Sequence, residues 1–317
     1  MNIVKPKIFK DAEVIKNDSL ITFLICFFGV YLVSSILCSI IPIIALIIKL
    51  MYDGNVNDIS SIMSDNEALS NYMYSGKFII LSIFSTGFLM VAPIIYCLKY
   101  EKRKISTLGF IKKNCIKSYL LGLVIGLVMF SSVYFIEYIT NSISIDSIIK
   151  ININSIISLL LFFVAFAFQS MGEEVLCRSY LLTSIGAKKG VIPGVLISSL
   201  AFSLMHIGNN SFTILPMINI FLFGVVMALI YICTENIWVV SAIHGIWNYA
   251  QGNIYGISVS GIDINDSFIK SSQIAGKELI NGGGFGAEGG IVTTLILLIS
   301  ILLTILYMVK KNKIIKE

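Results

Sequence analysis

The apolar run over residues 20–50 is the strongest constraint on what this chain can fold into. A helix crosses the hydrocarbon core of a bilayer in about 20 residues. The run follows a polar segment holding Lys5, Lys7, Lys10 and Lys16 and shows no small-residue cleavage site, so it is expected to be a retained membrane helix and not a signal peptide. Seven further apolar segments lie at 78–98, 118–139, 155–186, 191–208, 213–233, 237–256 and 290–309. Backbone polar groups in lipid must be satisfied within each segment, which leaves helices for runs of this length. The expected fold is therefore all-α: a polytopic membrane bundle of about eight transmembrane helices. Composition agrees, since only 13% of residues are charged, against about 25% in soluble domains.

Loop charges set the orientation. Lys99, Lys102, Arg103, Lys104, Lys112, Lys113 and Lys117 fall between the second and third runs. Lys188 and Lys189 fall between the fourth and fifth, and Lys310, Lys311, Lys313 and Lys316 in the tail. The loop over 52–76 carries Asp53, Asp58, Asp65 and Glu67 without a basic residue. This alternation predicts both termini in the cytoplasm. Because the basic residues cluster in short loops, the net charge of +5 does not point to nucleic acid.

Three regions are expected: 1–150 with three membrane helices, 151–256 with four, and 257–317 with an extracytoplasmic loop, the last helix and a basic tail. The segment 257–289 reads as a flexible outer loop. It contains a GxGxxG from Gly284 to Gly289, but that motif binds a dinucleotide only between a strand and a helix. The six cysteines form no CxxC pair and read as small buried hydrophobes. Cys177, four residues after Glu173, is the one expected near a cavity.

Ionisable groups at membrane depth are expensive and mark functional sites. The chain has two histidines, His206 and His244, both in apolar runs, and an upstream pair Glu173–Glu174. Adjacent residues on a helix point about 100° apart. Arg178 stands at i+4 from Glu174, the spacing at which side chains meet. Glu174 and Arg178 are thus expected to form a structural ion pair, leaving Glu173 to face a cavity beside Gln169, Ser170 and Cys177. Phe202 and His206 are also spaced i, i+4, as are His244 and Asn248. The midpoint between Glu173 and His206 falls at Lys189–Gly190, so in a helical hairpin the two should face each other. The bland readings are an ion-pair cluster, a core histidine and interhelical hydrogen bonds.

A carboxylate opposite an imidazole can take a proton from attacking water, and His244 and Asn248 can meet the developing oxyanion. Alternatively, Glu173, His206 and His244 are a His₂Glu set of the kind that holds catalytic Zn²⁺. The residues leave both chemistries open. A proton relay in a transporter would call for interrupted helices in two corresponding halves, and no second copy of the motif is present.

Glu173-Glu174-x-x-x-Arg178, Phe202-x-x-x-His206 and His244-x-x-x-Asn248, in this order, resemble the CPBP family. That family includes the type II CAAX prenyl endoproteases, the bacterial Abi proteins, and bacteriocin-processing or self-immunity proteins. The resemblance covers 155–256 and implies an intramembrane endopeptidase with an eight-helix bundle, whose catalytic core is the region 151–256. It implies Glu173 as the water-activating base beside His206, His244 and Asn248 at the oxyanion, and Glu174 and Arg178 as supports. The Ile-, Asn- and Lys-rich composition fits the cytoplasmic membrane of a low-GC bacterium, where prenylated proteins are generally absent. The expected partner is then a membrane-associated or hydrophobic peptide, lipidated or bacteriocin-like. A non-catalytic immunity or regulatory membrane protein is the alternative.

Overall fold

The computed structural model describes residues 2–52, 59–65, 68–69, 78–264 and 266–315. Asp53, Asp58 and Glu67 of the acidic loop, and Lys316 of the tail, lie outside the described residues. Eight helices correspond to the eight apolar runs. They are α1 (Leu20–Tyr52), α2 (Phe78–Lys99), α3 (Cys115–Ile139), α4 (Ile153–Lys189), α5 (Val191–Leu204), α6 (Ile214–Thr234), α7 (Ile237–Tyr249) and α8 (Ile291–Lys310). The polytopic helical bundle read from the sequence is the observed fold.

Six of these helices are long and apolar enough to cross a membrane. The other two are α5, with 14 residues, and α7, with 13. At 1.5 Å per residue each rises about 20 Å, short of a hydrocarbon core of about 30 Å. A short helix persists at depth where neighbouring protein, not lipid, covers it, and α7 is covered in this way. From Ile237 to Asn248 every residue of α7 but Trp238 is buried.

Glycines make that burial possible. Gly122 and Gly126 face α7 from α3, and a Cβ at either would stand 2.4 Å from a carbonyl oxygen, of Val239 and Ile243 respectively. This small-xxx-small spacing lets two helices approach backbone to backbone. α7 is thereby held between α3 and α4.

Two short strands lie at one end of the bundle. β2 (Ile143–Ile148) pairs antiparallel with β3 (Ile269–Gln273). At the other end β1 (Asn2–Ile3) pairs with β4 (Ile314–Ile315), so the two chain ends share a face. The segment 257–289 is therefore a packed strap and not the flexible loop expected. It carries β3, and Asn281, Phe285, Ala287 and Gly289 in it are buried. Hydrophobicity alone missed it because the strap closes on hydrogen bonds: Asn281 Nδ2 donates to the Ser142 carbonyl at 2.7 Å, and Asn253 Nδ2 to that of Asp266 at 2.7 Å.

Candidate active site

α4 opens with a reciprocal cap, in which Asn152 Oδ1 accepts from the Ser155 amide and Ser155 Oγ from the Asn152 amide. From there it runs as α-helix to Glu174 and then widens into a π segment over Val175–Leu182. π segments cluster at functional sites. Here the widening follows directly on the two glutamates and carries Arg178.

α7 lies close against α4. Ser170 Oγ donates to the Ser241 carbonyl at 2.9 Å, and a Cβ on Gly245 would stand 2.8 Å from Ser170 Oγ. His244 and Asn248, one turn apart, are thereby presented to Gln169, Glu173 and Glu174.

The glutamates divide as their spacing demands. Glu174 Oε2 lies 3.1 Å from Arg178 Nε, with both side chains fully buried. Arg178 also donates to the Gly224 carbonyl at 3.3 Å and sits 4.6 Å over the Phe202 ring. Glu174 Oε1 lies 3.0 Å from His244 Nδ1. Glu173 Oε1 accepts from Gln169 Nε2 at 2.6 Å, and Gln169 Oε1 in turn accepts from Asn248 Nδ2 at 3.1 Å. Glu173 Oε2 makes no hydrogen bond among the described residues and stands 3.7 Å from His244 Nε2.

The imidazole beside Glu173 is thus His244, whereas the hairpin argument placed His206 there. α5 ends at Leu204, so His206 sits in the turn that follows and has left the helical face. Its Nδ1 donates to the Phe202 carbonyl at 2.9 Å, since a carbonyl can only accept. Counting outward from Gly190 assumes equal rise on both limbs, and the π segment advances less per residue. No hydrogen bond or ion pair joins Glu173 to His206 among the described residues, yet both line one cavity of about 630 Å³. Phe202 stands between the imidazoles, its centroid 5.0 Å from His206 and 5.7 Å from His244.

Cys177 does not face this cavity. It is buried, with Sγ 3.8 Å from Met205 Sδ, and all six cysteines are free thiols.

The strap adds residues that sequence reasoning did not single out. Glu288 lines the cavity and accepts from Trp247 Nε1 at 3.1 Å. Its other oxygen accepts from the amide and hydroxyl of Ser260, at 2.9 and 2.7 Å. The GxGxxG glycines serve this closure. Gly286, at φ +95°, lies where a Cβ would be 1.9 Å from the Ser258 carbonyl oxygen. The available signal was an acidic residue inside a glycine-rich stretch directly before an apolar run.

A metal would need Glu173, His206 and His244 to converge. Among the described residues no three His, Cys, Asp or Glu side chains are gathered closely enough to hold an ion. Nδ1 of His244 meets Glu174 and Nδ1 of His206 a backbone carbonyl, contacts of the kind that orient a ring for ligation through Nε2, but the three side chains of the zinc set are not gathered in this arrangement.

Residues 155–250 match the family model described as type II CAAX prenyl endopeptidase Rce1-like. This is the family that the three motifs resemble. No curated protein matches the chain.

Proposed function

With a type II CAAX prenyl endopeptidase match over the segment that builds the site, we propose that the chain is an intramembrane endopeptidase in which Glu173 activates water. It acts on a membrane-associated or hydrophobic peptide, in the cytoplasmic membrane of a low-GC bacterium, with both termini in the cytoplasm. The observation that carries the reading is the state of Glu173. One carboxylate oxygen is fixed by Gln169, the other is buried without a hydrogen bond among the described residues, and the residue lines a cavity large enough for a peptide segment.

Water attacks the substrate carbonyl as Glu173 Oε2 takes its proton. Asn248 has one amide hydrogen committed to Gln169 and a second available for the developing oxyanion. His244 directs Nδ1–H at Glu174, so its Nε2 donates to that oxyanion only when the ring carries both protons. His206, with Nδ1–H fixed by Phe202, has a bare Nε2 on the cavity wall, which can accept the proton that Glu173 took from water and pass it to the leaving amine. Glu174 and Arg178 hold this array and touch no substrate. The support for metal-free chemistry is that Glu173, His206 and His244 are not gathered into one ligand set.

The test is proteolysis by purified protein in nanodiscs, with metal content measured on the same samples. Wild type should cleave with no metal requirement. Glu173→Gln and His206→Ala should lose cleavage and keep the wild-type melting temperature. Activity that chelator abolishes and Zn²⁺ restores would overturn the metal-free assignment. Full activity in Glu173→Gln would remove Glu173 from the mechanism and favour the immunity or regulatory alternative.

A further inference from the structure

His206 and His244 line one cavity but ride on different elements, the turn after α5 and the helix α7. Both elements are tied to the strap at one residue, Glu288. On the α7 side, Glu288 Oε1 accepts from Trp247 Nε1 at 3.1 Å. Trp247 directly precedes Asn248 and stands three residues after His244, on the same helical face. Its indole packs 5.3 Å from the Phe223 ring, which in turn lies 5.3 Å from the His244 ring. On the other side, Glu288 Oε2 accepts from the amide and hydroxyl of Ser260 at 2.9 and 2.7 Å. Ser260 and Gly261 form the turn between the bridged residues Val259 and Ile262, at φ +48° and +83°. Left-handed backbone at both positions suits a two-residue turn but is uncommon for serine. The tip of this turn rests on the residues that follow His206. Asn209 Nδ2 donates to the Ser260 carbonyl at 2.9 Å, and a Cβ on Gly261 would stand 2.3 Å from the Asn210 carbonyl oxygen. The Asn209 amide donates back to the His206 carbonyl at 3.0 Å. Glu288 is itself anchored, since its own carbonyl accepts from Asn219 Nδ2 on α6 at 2.7 Å.

We propose that Glu288 is a positioning residue: one carboxylate, with an oxygen turned to each side, sets His206 and His244 in register across the cavity. The inference rests on the endopeptidase reading and adds to it a residue outside the three motifs. Helix packing already places His244, because α7 is held against α3 and α4. His206 lies beyond the end of α5, where helical geometry no longer fixes it. The strap supplies what the helix does not, through Ser260 and Asn209. Hydrogen bonds to an ionised carboxylate are roughly twice as strong as neutral ones, so a single glutamate can couple both sides firmly. Glutamine cannot replace it. Its one oxygen serves one side, and its amide nitrogen then faces the indole N–H or the Ser260 amide, donor against donor. Both oxygens of Glu288 are occupied by these donors, so it acts through Trp247 and Ser260 and takes no part in the proton transfer.

Because the chain has two histidines, protein labelled in the imidazole rings gives two sets of NMR signals in nanodiscs. Glu288→Gln should move both sets. It should also lower kcat roughly 100-fold, the scale of a displacement of about 1 Å, with KM held within about twofold of wild type. Trp247→Phe keeps an aromatic ring and removes the N–H, and should move the His244 signals alone. Asn209→Ala cuts the link to Ser260 and should move those of His206 alone. Unmoved histidine signals in Glu288→Gln would overturn the proposal, as would a kcat within about threefold of wild type. If Glu288→Gln does not accumulate, the two sides are read singly, and a histidine unmoved by the variant on its own side overturns the proposal equally. Signals that move as expected in a protein whose wild type cleaves nothing would sink the endopeptidase reading and leave this inference standing. Wild-type cleavage by Glu288→Gln, with both histidines unmoved, would do the reverse.

Discussion

α1 and α7 obey opposite rules. α1 is 33 residues of nearly unbroken hydrocarbon, and only 22% of its most apolar window is buried in protein. α7 is 13 residues long, carries Ser241, His244 and Asn248, and is buried almost all round. The outer helix meets lipid, which rewards any apolar side chain and specifies little else. The inner helix meets protein, so each position is set by a particular neighbour: Gly122 and Gly126 on one side, Ser170 and the glutamates on the other. Chemistry sits where lipid is excluded, because only there can polar groups be paired.

The contrast can be broken by substitution, and the largest effect belongs to the inner region. Glu173→Gln should lower kcat by roughly 10⁴-fold, the upper range for a general base, with no loss of folded protein by size exclusion. An active Glu173→Gln enzyme would mean that the buried polar cluster is structural only. Arg178→Ala should come next. It strands Glu174 without its cation in the interior, at a cost of about 3–5 kcal/mol, and is expected to abolish accumulation of folded protein. A wild-type yield would show that His244 alone compensates Glu174. Gly126→Ala should cost about 1–3 kcal/mol through overpacking, because its Cβ would fall 2.4 Å from the Ile243 carbonyl oxygen. A lower melting temperature with an intact site would sharpen the view that α3 positions α7. Smallest of all, Leu303→Ala on α8, at a position 60% exposed to the bilayer, should stay within about 0.5 kcal/mol. A large effect there would reveal a protein interface where lipid is expected.

The same contrast explains what could be read in advance. The outer helices were legible because about 20 apolar residues in a row have one physical solution in lipid. The Glu174–Arg178 pair was legible too, since i, i+4 spacing on a helix is local geometry, and it forms at 3.1 Å. The exchange of His206 for His244 beside Glu173 was not. It depends on where α5 ends and on a π segment, and neither has a reliable local signature. Glu288 was hidden for a related reason. It lies far along the chain from Trp247 and arrives through strap contacts that leave no periodic pattern.

By itself the sequence determined a helical membrane bundle and singled out the candidate residues Glu173, Glu174, Arg178, Phe202, His206, His244 and Asn248. The charged ones stand out because charge is costly inside an apolar run, and Phe202 and Asn248 because they lie one helical turn from a histidine. The tertiary structure alone decided which of them touch, which carboxylate oxygen is left without a hydrogen bond, and that Glu288 joins them at the cavity. Hydropathy and spacing are properties of one segment. Pairing between α4, α7 and the strap is a property of their packing, set by glycine-sized approaches and hydrogen bonds between residues distant in the chain.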